Sequence, residues 1–240
     1  MKIWRRSLLL ALLVICQWLI PAAAQAAQAK LSIGSKTFTE SYVLGEIAAQ
    51  LLESEGFTVE RQLGLGGTLV AYEALKAGAI DLYPEYTGTL AQAVLGRPGL
   101  DGEQLERALH EQGLRMQVAL GFGNSYAIGI NGPLARESKL TRISELTGHP
   151  GLRAGFSHEF LNREDGWAAL RAAYRLPQQA VGIEHALAYA AIEAGQLDFT
   201  DAYTTDGELA ARDLVLLQDD LGFFPEYSAV LLARVGLPDD

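Results

Sequence analysis

The sequence predicts an α/β protein of two lobes, and three observations predict it. Strand and helix patterns alternate from Lys30 to Tyr86, the order that builds layers on a parallel sheet. A second alternation of the same kind runs from residue 152 to residue 203. The two runs echo one another without gaps: "ALKAGAIDLYPEY" (residues 74 to 86) lies over "AIEAGQLDFTDAY" (residues 191 to 203). In each copy a helix ends in Ala-Gly, a strand carries an Asp, and a Tyr follows the Gly by eight residues. That Tyr falls at the carboxyl end of its strand, where open parallel sheets bind ligands. A site between the lobes is therefore expected.

The elements follow in order. Residues 1–29 carry a basic start (Lys2, Arg5, Arg6), an apolar stretch from Ser7 to Ile20 and the small-residue run "PAAAQAAQA", the pattern of a cleaved secretory signal peptide. The apolar stretch is shorter than the ~20 residues that span a membrane. "KLSIG" reads as a strand, and Thr37 with Glu40 has capping-box spacing before a helix whose apolar positions are Val43, Leu44, Ile47, Ala48, Leu51 and Leu52. Gly56 closes that helix. "FTVERQL" is the next strand, "GLGGT" a turn, "LVAYEALKAG" a helix and "AIDLY" a strand. Residues 103 to 112 form a helix, and "MQVALGFGNSYAIGI" reads as strand. The second unit comprises "LRAGF" as strand, "NREDGWAALRAAYRL" and "EHALAYAAIEAG" as helices, and "LDFTDAY" as strand. The expected division is 1–29 signal peptide, 30–121 first lobe, 122–203 second lobe, and 204–240 returning to the first lobe in shortened form.

Composition removes several function classes. Without the three basic residues of the leader, the chain carries 16 basic against 29 acidic side chains, a net charge of −13. That surface disfavours nucleic acid. Cys16, the only cysteine, falls in the leader, so the exported chain has neither a disulfide framework nor a thiol nucleophile, which suits a bacterial periplasm. "GLGGT" lacks the Lys-Ser/Thr ending of a P-loop and the G-x-G-x-x-G spacing of a dinucleotide turn. The histidines, His110, His149, His158 and His185, show no zinc-motif spacing, so solvated or structural roles are expected and no metal site. "GFSHEF" matches neither G-x-S-x-G nor H-E-x-x-H. No catalytic constellation and no cofactor is expected.

Four tyrosines beside turns remain: Tyr86 in "PEYTGT", Tyr126 in "GNSYA", Tyr203 in "TDAYTTD" and Tyr227 in "FFPEYSA". Each alone is better explained by packing than by ligand contact. Four at the ends of separate apolar runs can box a quaternary ammonium, which has no N–H to donate and is held through cation–π contact worth ~2 kcal/mol or more when desolvated. Lys36 after "LSIG" and Arg163 after "LRAGF" occupy loosely corresponding places, so each unit offers one cation and one tyrosine to a shared cleft.

At these residues the chain resembles the substrate-binding proteins of bacterial osmoprotectant ABC transporters, the glycine betaine/carnitine/choline family. The resemblance runs from about Lys30 to Ala233 through "IGSKTFTES", "GLGGT", "IDLYPEYTGT", "FGNSYAI", "EFLNREDGW", "DAYTTDG" and "DDLGFFPEY". It implies a two-lobed type II periplasmic-binding fold with the ligand cleft between lobes. It implies a tyrosine box of Tyr86, Tyr126, Tyr203 and Tyr227, and a carboxylate held by Lys36, Thr89 and Arg163, with Asn124 as a further polar contact. The implied partners are a small quaternary ammonium ligand and an ABC permease at the inner membrane, for a monomeric periplasmic receptor that is not an enzyme. Choline, carnitine or ergothioneine are alternative ligands, and a truncated sensory or interaction module is the alternative role. Family members continue for several dozen residues past the segment matching "SAVLLAR", so the chain reads as C-terminally short and its final strand as poorly covered.

Overall fold

The computed structural model describes residues 30–237, so the expected signal peptide lies outside the described residues. The first unit runs β1 (Lys30–Gly34), α1 (Thr39–Ser54), β2 (Thr58–Gln62), α2 (Thr68–Lys76) and β3 (Leu82–Tyr86). A short helical turn over residues 87–94 follows, then α3 (Gly102–His110) and β4 (Leu114–Gly123). The chain then crosses to the second unit: β5 (Tyr126–Asn131), α4 (Gly132–Ser138), β6 (Ala154–Ser157), α5 (His158–Asn162), α6 (Trp167–Tyr174), β7 (Ala180–Ile183), α7 (His185–Glu193), β8 (Phe199–Tyr203), α8 (Glu208–Ala211) and β9 (Leu214–Leu217). The last strand is β10 (Ser228–Arg234).

Two five-stranded sheets result, ordered β2-β1-β3-β10-β4 and β7-β6-β8-β5-β9. The orders are the same if β1 is set against β6, β3 against β8 and β10 against β5. Within each sheet the first three strands are parallel, while β10 pairs antiparallel with β3 and β5 with β8. The sheets are therefore mixed, not parallel throughout, because one strand of each lies next to a run of opposite direction.

The internal echo has a physical basis. Gly78 (φ +74°) and Gly195 (φ +66°) end α2 and α7 in the left-handed region, where a side chain would be strained. Asp81 and Asp198 then serve the same end: Asp81 Oδ2 accepts from Ser32 N at 2.7 Å, and Asp198 Oδ2 from Arg153 N at 2.6 Å. Each Asp ties the start of its strand to the neighbouring parallel strand. Each also pairs with an arginine, Arg234 and Arg153 respectively.

Three expectations change. "MQVALGFGNSYAIGI" is not one strand but two, β4 and β5, in different sheets, and the chain crosses at Asn124 and Ser125. The segment after residue 203 does not return at once to the first sheet: β9 pairs with β5 at Ile128↔Leu217 before β10 makes the return. The apolar run "LVLL" is short and half-exposed, which is why it did not stand out as a strand. Nor is the last strand poorly covered. β10 is hydrogen-bonded on both edges, to β3 and β4, and Ala229, Val230, Leu232 and Ala233 are buried.

Apolar packing gives each lobe its own core. In the first, Leu75, Ile80, Tyr83, Leu90, Leu105 and Leu109 pack on Val230 and Leu232, while Ile33, Ala48 and Ala49 fill the space under α1. In the second, Ile128, Ile130, Phe156, Phe160, Trp167 and Phe199 form one cluster. Tyr86 and Tyr227, from strands or loops of the first sheet, join that second cluster. The two cores meet at tyrosines.

Candidate functional site

The parallel strands of both sheets aim their carboxyl ends into one cleft, and the antiparallel β10 and β5 start there, so Tyr86, last residue of β3, and Tyr203, last residue of β8, face a common space. That space is a cavity of ≈510 Å³. Lys36, Tyr86, Thr89, Asn124, Tyr126, Arg163, Tyr203 and Tyr227 all line it. Residues drawn from nearly 200 positions of sequence are thus brought to one place.

The aromatic wall is continuous. Tyr126 lies 5.1 Å from Tyr203 and 5.9 Å from Tyr227 between ring centroids, and Phe38 lies 5.0 Å from Tyr203 and 6.3 Å from Tyr86. Phe38, which the tyrosine pattern does not include, joins the box; its position in "SKTFTES", directly before α1, is the available signal. Burial pushes the hydroxyls of Tyr86, Tyr126, Tyr203 and Tyr227 above the usual tyrosine range, so the rings stay neutral. Neutral electron-rich faces suit a cation. The protein's own cations already use this property: Lys36 Nζ is 5.1 Å from the Tyr86 centroid and Arg163 Cζ is 5.3 Å from that of Tyr126.

Both cations are anchored by carboxylates. Lys36 Nζ donates to Glu85 Oε1 at 2.6 Å, and Glu85, wholly inaccessible, also accepts from Tyr83 Oη at 3.1 Å and Tyr86 N at 2.9 Å. Arg163 donates from Nε and Nη2 to Asp165 at 2.8 and 2.6 Å, a bidentate pair. Its Nη1 has Glu159 Oε1 at 4.0 Å, beyond hydrogen-bond reach. One edge of the guanidinium is spent on orientation and Nη1 is left to receive an acceptor.

Glu40 departs from its expected job. The capping box with Thr37 does not form, since Phe38 is the N-cap of α1 and makes no side-chain cap bond. The Glu40 carboxylate instead accepts from Tyr86 Oη and, at 2.9 Å, from Asn124 Nδ2. It fixes one box tyrosine and the amide at the crossing between lobes. What read in the sequence as a helix start is a support of the site.

His185 takes the structural one of the two roles expected of the histidines, and it also lines the cavity, its ring tilted against Tyr203 with centroids 4.3 Å apart. Its Nε2 lies 2.9 Å from Asp206 and its Nδ1 3.7 Å from Asp201. Burial opposes the charged ring, but the two carboxylates outweigh it and push the pKa up to about 9. In the unfolded chain the group titrates near 6.5, so the stabilising proton is fully held below about pH 6.5 and lost as pH rises through about 9. We expect stability to fall between those values by about 3 kcal/mol and His185→Gln to flatten the slope. Equal slopes for the two proteins in melts across this range would show that the pair contributes nothing.

Among the described residues there is no cluster of His, Cys, Asp or Glu able to hold a metal ion, and no helix is long and apolar enough to cross a membrane.

Comparison with known proteins bears on this geometry. Residues 29–240 match the family described as the substrate binding domain of ABC-type glycine betaine transport systems. The chain is 34% identical over 230 residues to the ergothioneine transport permease/ergothioneine binding protein EgtU of Helicobacter pylori, covering 93% of this chain and 41% of that one. It therefore spans less than half the length of that relative. It is 32% identical over 235 residues to a glycine-betaine-binding protein of Pseudomonas aeruginosa, covering 88% of this chain and 74% of the other. A crystal structure titled glycine betaine/carnitine/choline ABC transporter superposes with a TM-score of 0.65 at 26% identity, over 85% of this chain and 79% of its own.

Proposed function

The chain belongs to the family of substrate-binding domains of ABC-type glycine betaine transport systems, and from that membership we propose that it captures a glycine betaine-like quaternary ammonium solute between its lobes and hands it to a membrane permease. The family consists of solute-binding proteins of ABC importers that work outside the cytoplasmic membrane with such permeases. The fold is the two-lobed type II arrangement.

The observation that carries the reading is the joining of an unbroken aromatic wall to a guanidinium with one edge uncommitted. A zwitterion has both needs. Its ammonium lies against the faces of Tyr86, Tyr126, Tyr203 and Tyr227, while Arg163 Nη1, Lys36 and the Thr89 hydroxyl take its carboxylate. The ligand then bridges lobes and favours their closed arrangement, which is what a permease reads. Export to the periplasm follows from the leader, and the receptor acts as a monomer without turnover. Calorimetry with glycine betaine, proline betaine, carnitine and choline is expected to show micromolar or tighter binding of at least one; no heat with any of them rejects the reading.

The size of the cavity favours a second reading. At ≈510 Å³ it extends past the box to His185, Tyr189 and Asp206, more room than a glycine betaine fills. A larger trimethylammonium amino acid such as ergothioneine fits that length. A thermal-shift panel ranks the two.

A further inference from the structure

Gly67, in the "GLGGT" turn, has no conformational need to be glycine. Its φ of −77° and ψ of −174° lie in the extended region open to any residue. What it provides is space: a Cβ there would overlap Oε2 of Glu159. Glu159 belongs to the opposite lobe, on α5, and its Oε1 accepts a hydrogen bond from Thr68 N at 3.2 Å. Thr68 is the first residue of α2, a helix of nine residues whose N-cap makes no side-chain cap bond.

The first amides of a helix lack partners within it and carry the positive end of its dipole. Capping is ordinarily local, from the residue just before the helix. Here the oxygen comes from a residue 91 positions away, across the cleft. Glu159 also stands one turn before Arg163, 4.0 Å from its Nη1. A contact that seats Glu159 on α2 also carries Arg163 into the cleft.

We propose that Glu159 is a positioning residue that latches the lobes together, with Gly67 and Thr68 N as its receiver, and that this latch sets the closed fraction of the ligand-free protein. The inference deepens the receptor reading and shares its premise that the lobes open and close. It needs no ligand, so it can be tested whatever the solute.

Single-molecule FRET between dyes at Ser54 and Ala173, exposed positions on the two lobes, reads the closed-to-open ratio. Loss of a helix cap is worth about a fivefold change, so Glu159→Ala should lower the ratio about fivefold, and Gly67→Ala should lower it by up to as much, since it displaces the flexible end of Glu159. The double variant should lower it no further than Glu159→Ala alone, since both changes act on the same contact. Glu159→Gln, which keeps an acceptor oxygen, should lose less than Glu159→Ala. Hydrogen exchange should show faster exchange of the Thr68 amide in both single variants while core amides such as Ile33 and Phe156 stay protected. An unchanged ratio in Glu159→Ala, or independent and additive losses in the double variant, would overturn the latch. If no quaternary ammonium binds, the FRET ratio still decides it.

Discussion

Replacing Arg163 by alanine is expected to weaken binding of glycine betaine by about 30- to 5,000-fold and of choline by much less. The size follows from the site. Arg163 is nearly inaccessible and doubly bonded to Asp165, so truncation removes the proposed donor for the ligand's carboxylate and leaves the Asp165 carboxylate without its partner. Truncating one member of a buried hydrogen-bonded charge pair costs about 2–5 kcal/mol, which is the fold-change stated. Choline has no carboxylate, and an exposed Asp165 helps a cation. Calorimetric titration of both ligands into both proteins reads the difference directly, and equal losses would refute a carboxylate role for Arg163. Arg163→Lys should recover only part, because an ammonium cannot hold Asp165 in bidentate fashion and present a third donor as well.

Much of the fold was legible because each lobe repeats the same local chemistry. The paired elements "ALKAGAID" and "AIEAGQLD" hold a helix, a left-handed glycine and an Asp that accepts from a neighbouring strand's amide, and each of these is a local signal. Strand partners at long range were less legible. The crossing at Asn124 and the placing of β9 in the second sheet depend on tertiary pairing, which no window of residues contains. Helix α1 shows how an apolar pattern misleads. Val43, Ile47 and Leu51 are exposed, while Ser41, Gly45, Ala48 and Ala49 are buried. Small residues face the sheet because the helix lies close to it: a Cβ at Gly45 would stand 3.4 Å from Gly34 O.

The candidate site was legible in its outer form only. Tyrosines and two cations next to turns could be named from their positions, and they do line one cavity. Their supports could not. Glu40 reads as a capping residue, Glu85 carries no signal of its own in "PEY", and His185 reads as a solvated or structural histidine like the rest, because what distinguishes them is the partner each meets across the fold. A charge that works by holding another side chain leaves no spacing signature.

Lys36→Met is expected to destabilise the folded protein by about 3–5 kcal/mol, the usual consequence of leaving a buried carboxylate without its cation. Glu85 has no accessible surface, and its other two bonds, from Tyr83 Oη and Tyr86 N, come from neutral donors. The damage should therefore reach the site, since the same carboxylate pins the backbone of Tyr86. Adding Glu85→Gln to Lys36→Met removes the stranded charge and should restore most of the stability, because an amide can still bond to Tyr83 and Tyr86. Urea unfolding of the wild type, both single variants and the double variant completes the cycle. A Lys36→Met protein as stable as the wild type would mean that Glu85 does not depend on Lys36. In that case Lys36 is held only for the ligand, and its loss should appear in betaine affinity alone.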